Sequence, residues 1–218
     1  VASKNSTVTV GEVRMSYVNV WEPQARPGSS DERYSVTVLL PKTNAQAKAM
    51  LDAAINAAIE DGVAAKWNGV RPPQIAICVH DGDGVRPSDG QPYGEECRGM
   101  WVFTATSKQQ PFIVDAGVQP ILNRADVYSG CWGRVNVTFF AYNNNGRKGI
   151  GCALNGIQKL RDDEPLAGRI TPEEAFGTPQ PAYAQPAPQA NPFGPFQAGA
   201  AYAQPAPQAN PFAMPQAF

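Results

Sequence analysis

The chain has 218 residues, 43% hydrophobic and 17% charged, with 18 basic against 19 acidic side chains and a formal net charge of -1, enough to bury a core in one domain or two. No run of 18 apolar residues occurs, which excludes a helical membrane span, and no charged-then-apolar leader opens the sequence, so an intracellular protein is expected. The lack of a G-x-x-x-x-G-K-S/T run leaves P-loop chemistry unsupported, and one histidine, His80, excludes a multi-histidine zinc site.

Residues 6–21, STVTVGEVRMSYVNVW, alternate as a strand with a break at Gly11 that predicts a bulge. Residues 34–41, YSVTVLLP, are β-branched and end on Pro41, a second strand. A helix is predicted from Thr43, where TNAQ places a glutamine three residues after a threonine. Leu51, Ala54, Ile55, Ala58 and Ile59 line its apolar face, and Gly62 ends or interrupts it. From Trp67 to Arg98 the chain is rich in breakers, including HDGDG. GMWVFTATSK and PFIVD then read as short strands, and YSGCWGRVNVTFFAY and KGIGCALNGIQKL as a hairpin closed by NNNG. Short strands with one helix predict a mainly β fold: a small barrel with loop insertions.

The hairpin holds the unusual chemistry. No acid occurs from Val127 to Arg161. Alternation puts Val135, Val137, Phe139 and Ala141 on one face, an ordinary core set. Trp132, Arg134, Asn136, Thr138, Phe140 and Tyr142 fall on the other. Rings interleaved with guanidinium and amide groups suit unpaired bases and the phosphates between them. Stacking is therefore expected on Trp132, Phe140 and Tyr142, with Trp101, Phe103, Tyr17 and Trp21 as further candidates. Phosphates are expected on Arg134, Arg147, Lys148 and Lys108. These contacts do not distinguish DNA from RNA.

HDGDG offers a rival, since Asp81 and Asp83 beside His80 could hold a hard metal ion for nuclease chemistry. Asx-Gly turns are the commoner use of such a run, and no metal or other cofactor is expected. A structural virion or scaffold protein is the other alternative. The cysteines, Cys78, Cys97, Cys131 and Cys152, form no Cys-x-x-Cys pair and read as reduced buried thiols. After Phe176 the chain is uncharged, holds ten of the 21 prolines and repeats AYAQPAPQANPF at 182–193 and 201–212. A folded domain over 1–172 and a disordered or polyproline-II tail over 173–218 are expected. Phe193, Phe212 and Phe218 are the tail's candidate anchors for a protein partner.

Several stretches, GEVRMSYVNVWEP, YSVTVLLPK, KWNG, DGDGVRP, ATSKQQPFIVD and the long segment from VYSGCWGR to DDEPLAGR, occur in order across residues 11–169. Together they resemble the phage-encoded single-stranded DNA-binding proteins with an OB fold. The resemblance implies a five-stranded OB-type barrel that coats single-stranded DNA during phage replication, recombination or repair. It implies no sequence preference and no catalysis, in the cytoplasm of the infected bacterium. Replication proteins of this kind commonly end in an acidic tip, whereas the last residues here are neutral.

Overall fold

The computed structural model describes residues 4–25, 28 and 30–166. Seven strands and one helix follow in chain order: β1 Thr7–Ala25, β2 Glu32–Pro41, α1 Ala45–Ala65, β3 His80–Asp81, β4 Met100–Ser107, β5 Phe112–Val114, β6 Trp132–Asn144 and β7 Arg147–Arg161. The strands lie in the order β3-β4-β2-β1-β6-β7-β5, and β4 also meets β7. That parallel contact, Thr106 opposite Ala153, closes β4, β2, β1, β6 and β7 into a five-stranded barrel. This is the OB-type barrel expected.

Strand β1 is long because it serves two neighbours. Thr7–Arg14 pair with β6, and Arg14–Ala25 pair with β2. The predicted bulge is present as a register shift between Gly11 and Val13, and a second slip lies between Ser16 and Asn19. Such slips bend a strand so that one chain can turn the corner of a barrel. Val10, Val13, Met15, Val36, Val38, Leu40, Phe103, Val135, Val137, Phe139, Ile150 and Ile157 fill the interior.

The helix closes one end of the barrel with Leu51, Ala54, Ile55, Ala58 and Ile59. Two details differ from the sequence reading. Asn44, not Thr43, is the cap, because its Oδ1 accepts the Ala47 N–H at 3.0 Å. Gly62 does not stop the helix but lets it approach β6. A Cβ there would lie 2.5 Å from Ala141 Cβ and 3.0 Å from the Trp67 ring. Trp67, itself buried, donates Nε1–H to the Tyr142 carbonyl at 3.1 Å. The hairpin turn is as expected, with Asn145 and Gly146 at φ 49° and 84°, the positive pair a type I′ turn requires.

Cys97, Cys131 and Cys152 are buried and Cys78 is half-buried, all as free thiols. The proposed 172/173 boundary and the character of the tail lie outside the described residues.

Candidate nucleic-acid interface

Two surfaces carry rings and polar groups in a pattern that a core does not need. The first is the outer face of β6 and β7. Here the aromatics cover glycines of the neighbouring strand: a Cβ on Gly151 would lie 2.6 Å from the Phe140 ring, and one on Gly149 2.5 Å from the Tyr142 hydroxyl. Phe112 of β5 covers Gly156 in the same way. Phe140 and Phe112 remain 41% and 54% exposed, so their outer surface is open. Between them runs a polar ladder. Thr7 bonds Thr138, and Asn136 donates to Thr9 while Asn155 donates to both Asn136 and Thr138.

Charge on this face is not neutralised locally. Most basic side chains have a carboxylate within 4.0 Å, as in Lys159–Asp162, Arg161–Glu12 and Arg124–Glu22. Among the basic side chains described, Lys66, Arg134, Arg147 and Lys148 have none. Arg134 lies with its stem across Gly11. Arg147 and Lys148 follow the hairpin turn.

The second surface is a groove of about 630 Å³ on the outside of β1, β2 and β4. Its floor is a row across three strands, Ser16 opposite Thr37 and Thr37 opposite Thr104, with the two threonine hydroxyls 3.0 Å apart. Tyr17 stands at one end, 69% exposed at φ 45°. Cys78 and His80 line the other end, and Arg86, Pro92 and Tyr93 form a wall. That wall belongs to the breaker-rich insertion between β3 and β4. It rests on a small outer core of Leu39, Cys97 and Val102, against which Tyr93 packs. Burial lowers the pKa of His80 and raises that of Tyr93. The hairpin tip reaches the groove through one segment: the Lys148 carbonyl accepts from Ala76 N–H, two residues before Cys78.

The remaining nominated residues have other surroundings. Phe103 is a core residue, 1% exposed and tilted against Phe139, so the expectation that it stacks with a base is corrected. Trp132 is half-covered by the Arg161 guanidinium, 4.4 Å from its ring, and donates Nε1–H to Asp163. Trp101 sits near the helix, with Lys42 and Lys48 ammonium groups 5.2 and 4.5 Å from its ring centre. Trp21 packs on the core, with its Nε1 buried and unpartnered among the described residues. Lys108 is exposed but lies 3.4 Å from Asp31.

Asp81 and Asp83 are already occupied by a cation, the Lys42 ammonium at 2.5 and 2.6 Å. Hydrogen bonds to Asp81 and Asp83 raise the Lys42 pKa, and Lys42 lowers theirs. With an ammonium filling the space between the two carboxylates, the nuclease alternative loses its metal cradle. No described helix is long and apolar enough to cross a membrane.

Sequence reading missed Phe112, Tyr93, Arg86 and the threonine pair as surface groups, and weighed His80 only beside a metal ion. The threonines were visible in principle, since Thr37 and Thr104 alternate with core residues in their strands. Tyr93 and Arg86 carry no such signal in an irregular loop.

Comparison with known proteins bears on the family and the fold. The profile of the family described as Enterobacter phage Enc34, ssDNA-binding protein, matches residues 6–185. The structure of the single-stranded DNA-binding protein from bacteriophage Enc34 in complex with ssDNA superposes with a TM-score of 0.64 at 25% identity, covering 76% of this chain and 92% of that one. The single-stranded DNA binding protein encoded by bacteriophage T7 shares the fold, with a TM-score of 0.51 at 13% identity over 83% of this chain and 98% of that one. A protein of Acyrthosiphon pisum secondary endosymbiont phage 1, p50, is 27% identical over 171 residues, which is 74% of this chain and 86% of that protein. The chain belongs to the family of the Enterobacter phage Enc34 ssDNA-binding protein.

Proposed function

We propose that this protein binds single-stranded DNA without sequence preference and coats it during phage replication, recombination or repair, without catalysis, in the cytoplasm of the infected bacterium. The observation that carries the reading is the groove across β1, β2 and β4, with a hairpin tip of unpaired cations joined to its lining segment through the Ala76–Lys148 hydrogen bond. OB barrels bind oligonucleotides on their second and third strands and on the loops flanking them. Those strands here are β2 and β4, and the flanking β6–β7 turn leads into Arg147 and Lys148.

A strand entering at that tip would set phosphates on Arg147 and Lys148 and run past His80 over the threonine row to Tyr17. Tyr142, over Gly149, borders the entrance, because Gly149 pairs with Ala76. Phe140, Phe112 and Arg134 extend the surface beyond it, and Lys108 flanks the far end of β4. The tail is proposed to hold a replication or recombination partner through Phe193, Phe212 and Phe218, all outside the described residues.

The test is an anisotropy titration of fluorescent oligo-dT, oligo-rU and duplex DNA, supported by retention on an oligo-dT column. Oligo-dT is expected to bind with a log–log salt slope of about -2 to -3, roughly 0.7 per phosphate contact. Failure to bind oligo-dT at low salt sinks the reading and favours a structural virion protein.

A further inference from the structure

The two carboxylates of HDGDG are not absorbed by DNA contact, yet they stand at the root of the groove wall. Lys42, which follows the last residue of β2, makes three bonds there. Its backbone N–H donates to the Gly99 carbonyl at 2.9 Å. Its ammonium donates to Asp81 Oδ1 at 2.5 Å and Asp83 Oδ2 at 2.6 Å. Asp83 Oδ1 in turn accepts the Gly99 N–H at 2.8 Å, and Asp81 Oδ1 accepts the Asp83 N–H at 2.8 Å.

The circuit Lys42–Asp83–Gly99–Lys42 therefore closes on itself. It pins both ends of the 83–99 insertion to the end of β2. Gly82 is fixed into the same knot, donating to the Met100 carbonyl at 2.9 Å, and a Cβ on it would meet the Cys97 carbonyl at 2.1 Å. Everything the wall contributes to the groove, Arg86, Pro92 and Tyr93 included, lies between these two fastened ends.

We infer that Lys42, Asp81 and Asp83 form a clasp that positions the 83–99 wall for single-stranded DNA, acting through the wall and not by touching the nucleic acid. This rests on the groove being the binding surface. It has an electrostatic consequence of unusual sign. Removing an acid from a polyanion-binding protein ordinarily strengthens binding. If Asp83 is a positioning residue, removing it weakens binding instead.

The experiment compares the full chain with Asp83→Ala, Lys42→Met and Asp83→Asn by anisotropy titration against fluorescent oligo-dT over a range of salt. Asp83→Ala and Lys42→Met are expected to bind about tenfold more weakly, the scale of one lost charge-assisted hydrogen bond, with the salt slope unchanged. Asp83→Asn, which keeps an acceptor for Gly99 and a smaller hold on Lys42, should fall between them and the parent; it serves if the alanine variant does not fold.

Tighter binding by Asp83→Ala or Asp83→Asn overturns the inference. So does a Lys42→Met slope lowered by about 0.7, which marks a direct phosphate contact. Amide exchange supplies an arm without DNA: the Gly99 and Asp83 amides should exchange faster in Lys42→Met, and no change there overturns the clasp by itself. A parent chain that does not bind oligo-dT refutes the function proposed above, while the exchange result still stands or falls on its own.

Discussion

His80 lines the groove half-buried, and loss of solvation lowers its pKa below the ordinary value. The unfolded chain therefore takes up this proton first as the pH falls. Stability from His80 is complete above about pH 6.5, the unfolded value, and is lost as the pH drops through the lower folded value. Chemical denaturation between pH 7.5 and 5 should show a slope that His80→Gln flattens. Tyr17 makes the complementary test of binding. Tyr17→Ala is expected to cost about 1 to 3 kcal/mol of oligo-dT affinity with the unfolding midpoint unchanged, because its ring is already in water. Val137→Ala should do the reverse, losing about 1 to 3 kcal/mol of stability while the folded protein binds normally. The faces of β6 were legible because that strand alternates without interruption through Val135, Val137 and Phe139, all fully buried. Tyr17 was named as a candidate, but alternation gives it the parity of buried Met15, and only the slip after Ser16 turns it outward. Phe103 lies in a stretch with apolar residues on both faces, and only the outer cluster around Val102 explains why. Phe112 meets Gly156 through a pairing between distant segments that no local pattern encodes.

Among the elements, α1 and the β6–β7 hairpin show opposite balances between local preference and packing. Helix propensity alone would make Gly62→Ala stabilising by roughly 1 kcal/mol. The added methyl would sit 2.5 Å from Ala141 Cβ and crowd Trp67, and overpacking of this kind costs about 1 to 3 kcal/mol. The clash wins, so thermal unfolding of Gly62→Ala should begin at lower temperature than the parent, and a rise in midpoint would show that the helix can shift. In the hairpin, local preference and packing agree. Asn145 and Gly146 supply the positive φ pair, and the strands beyond them continue paired to Trp132 and Arg161. That agreement is why the hairpin was readable from NNNG alone, whereas the end of α1 was not readable from its glycine.

At the scale of the whole molecule, near-neutrality and polyanion binding are reconciled by distribution. Acids pair with most of the described basic side chains and leave Arg134, Arg147 and Lys148 uncompensated on one hairpin. Replacing Arg147 and Lys148 together with glutamine should reduce the magnitude of the oligo-dT salt slope by about 1.4, two contacts at roughly 0.7 each. An unchanged slope would mean that other cations carry the phosphates. Barrel closure has a mechanical consequence. Strands β6 and β7 are zipped along their whole length, but β4 meets β7 at the single pair Thr106–Ala153. The cylinder is a sheet with one lightly stitched seam, and thermal breathing should begin there. The groove lies beside it on the β4 side, with Thr104 on its floor two residues before Thr106. An oligonucleotide lying in that groove works as a brace on β4 next to the seam: the protein should melt at higher temperature as oligo-dT is added, following ligand linkage, and the Thr106 amide should gain protection from exchange.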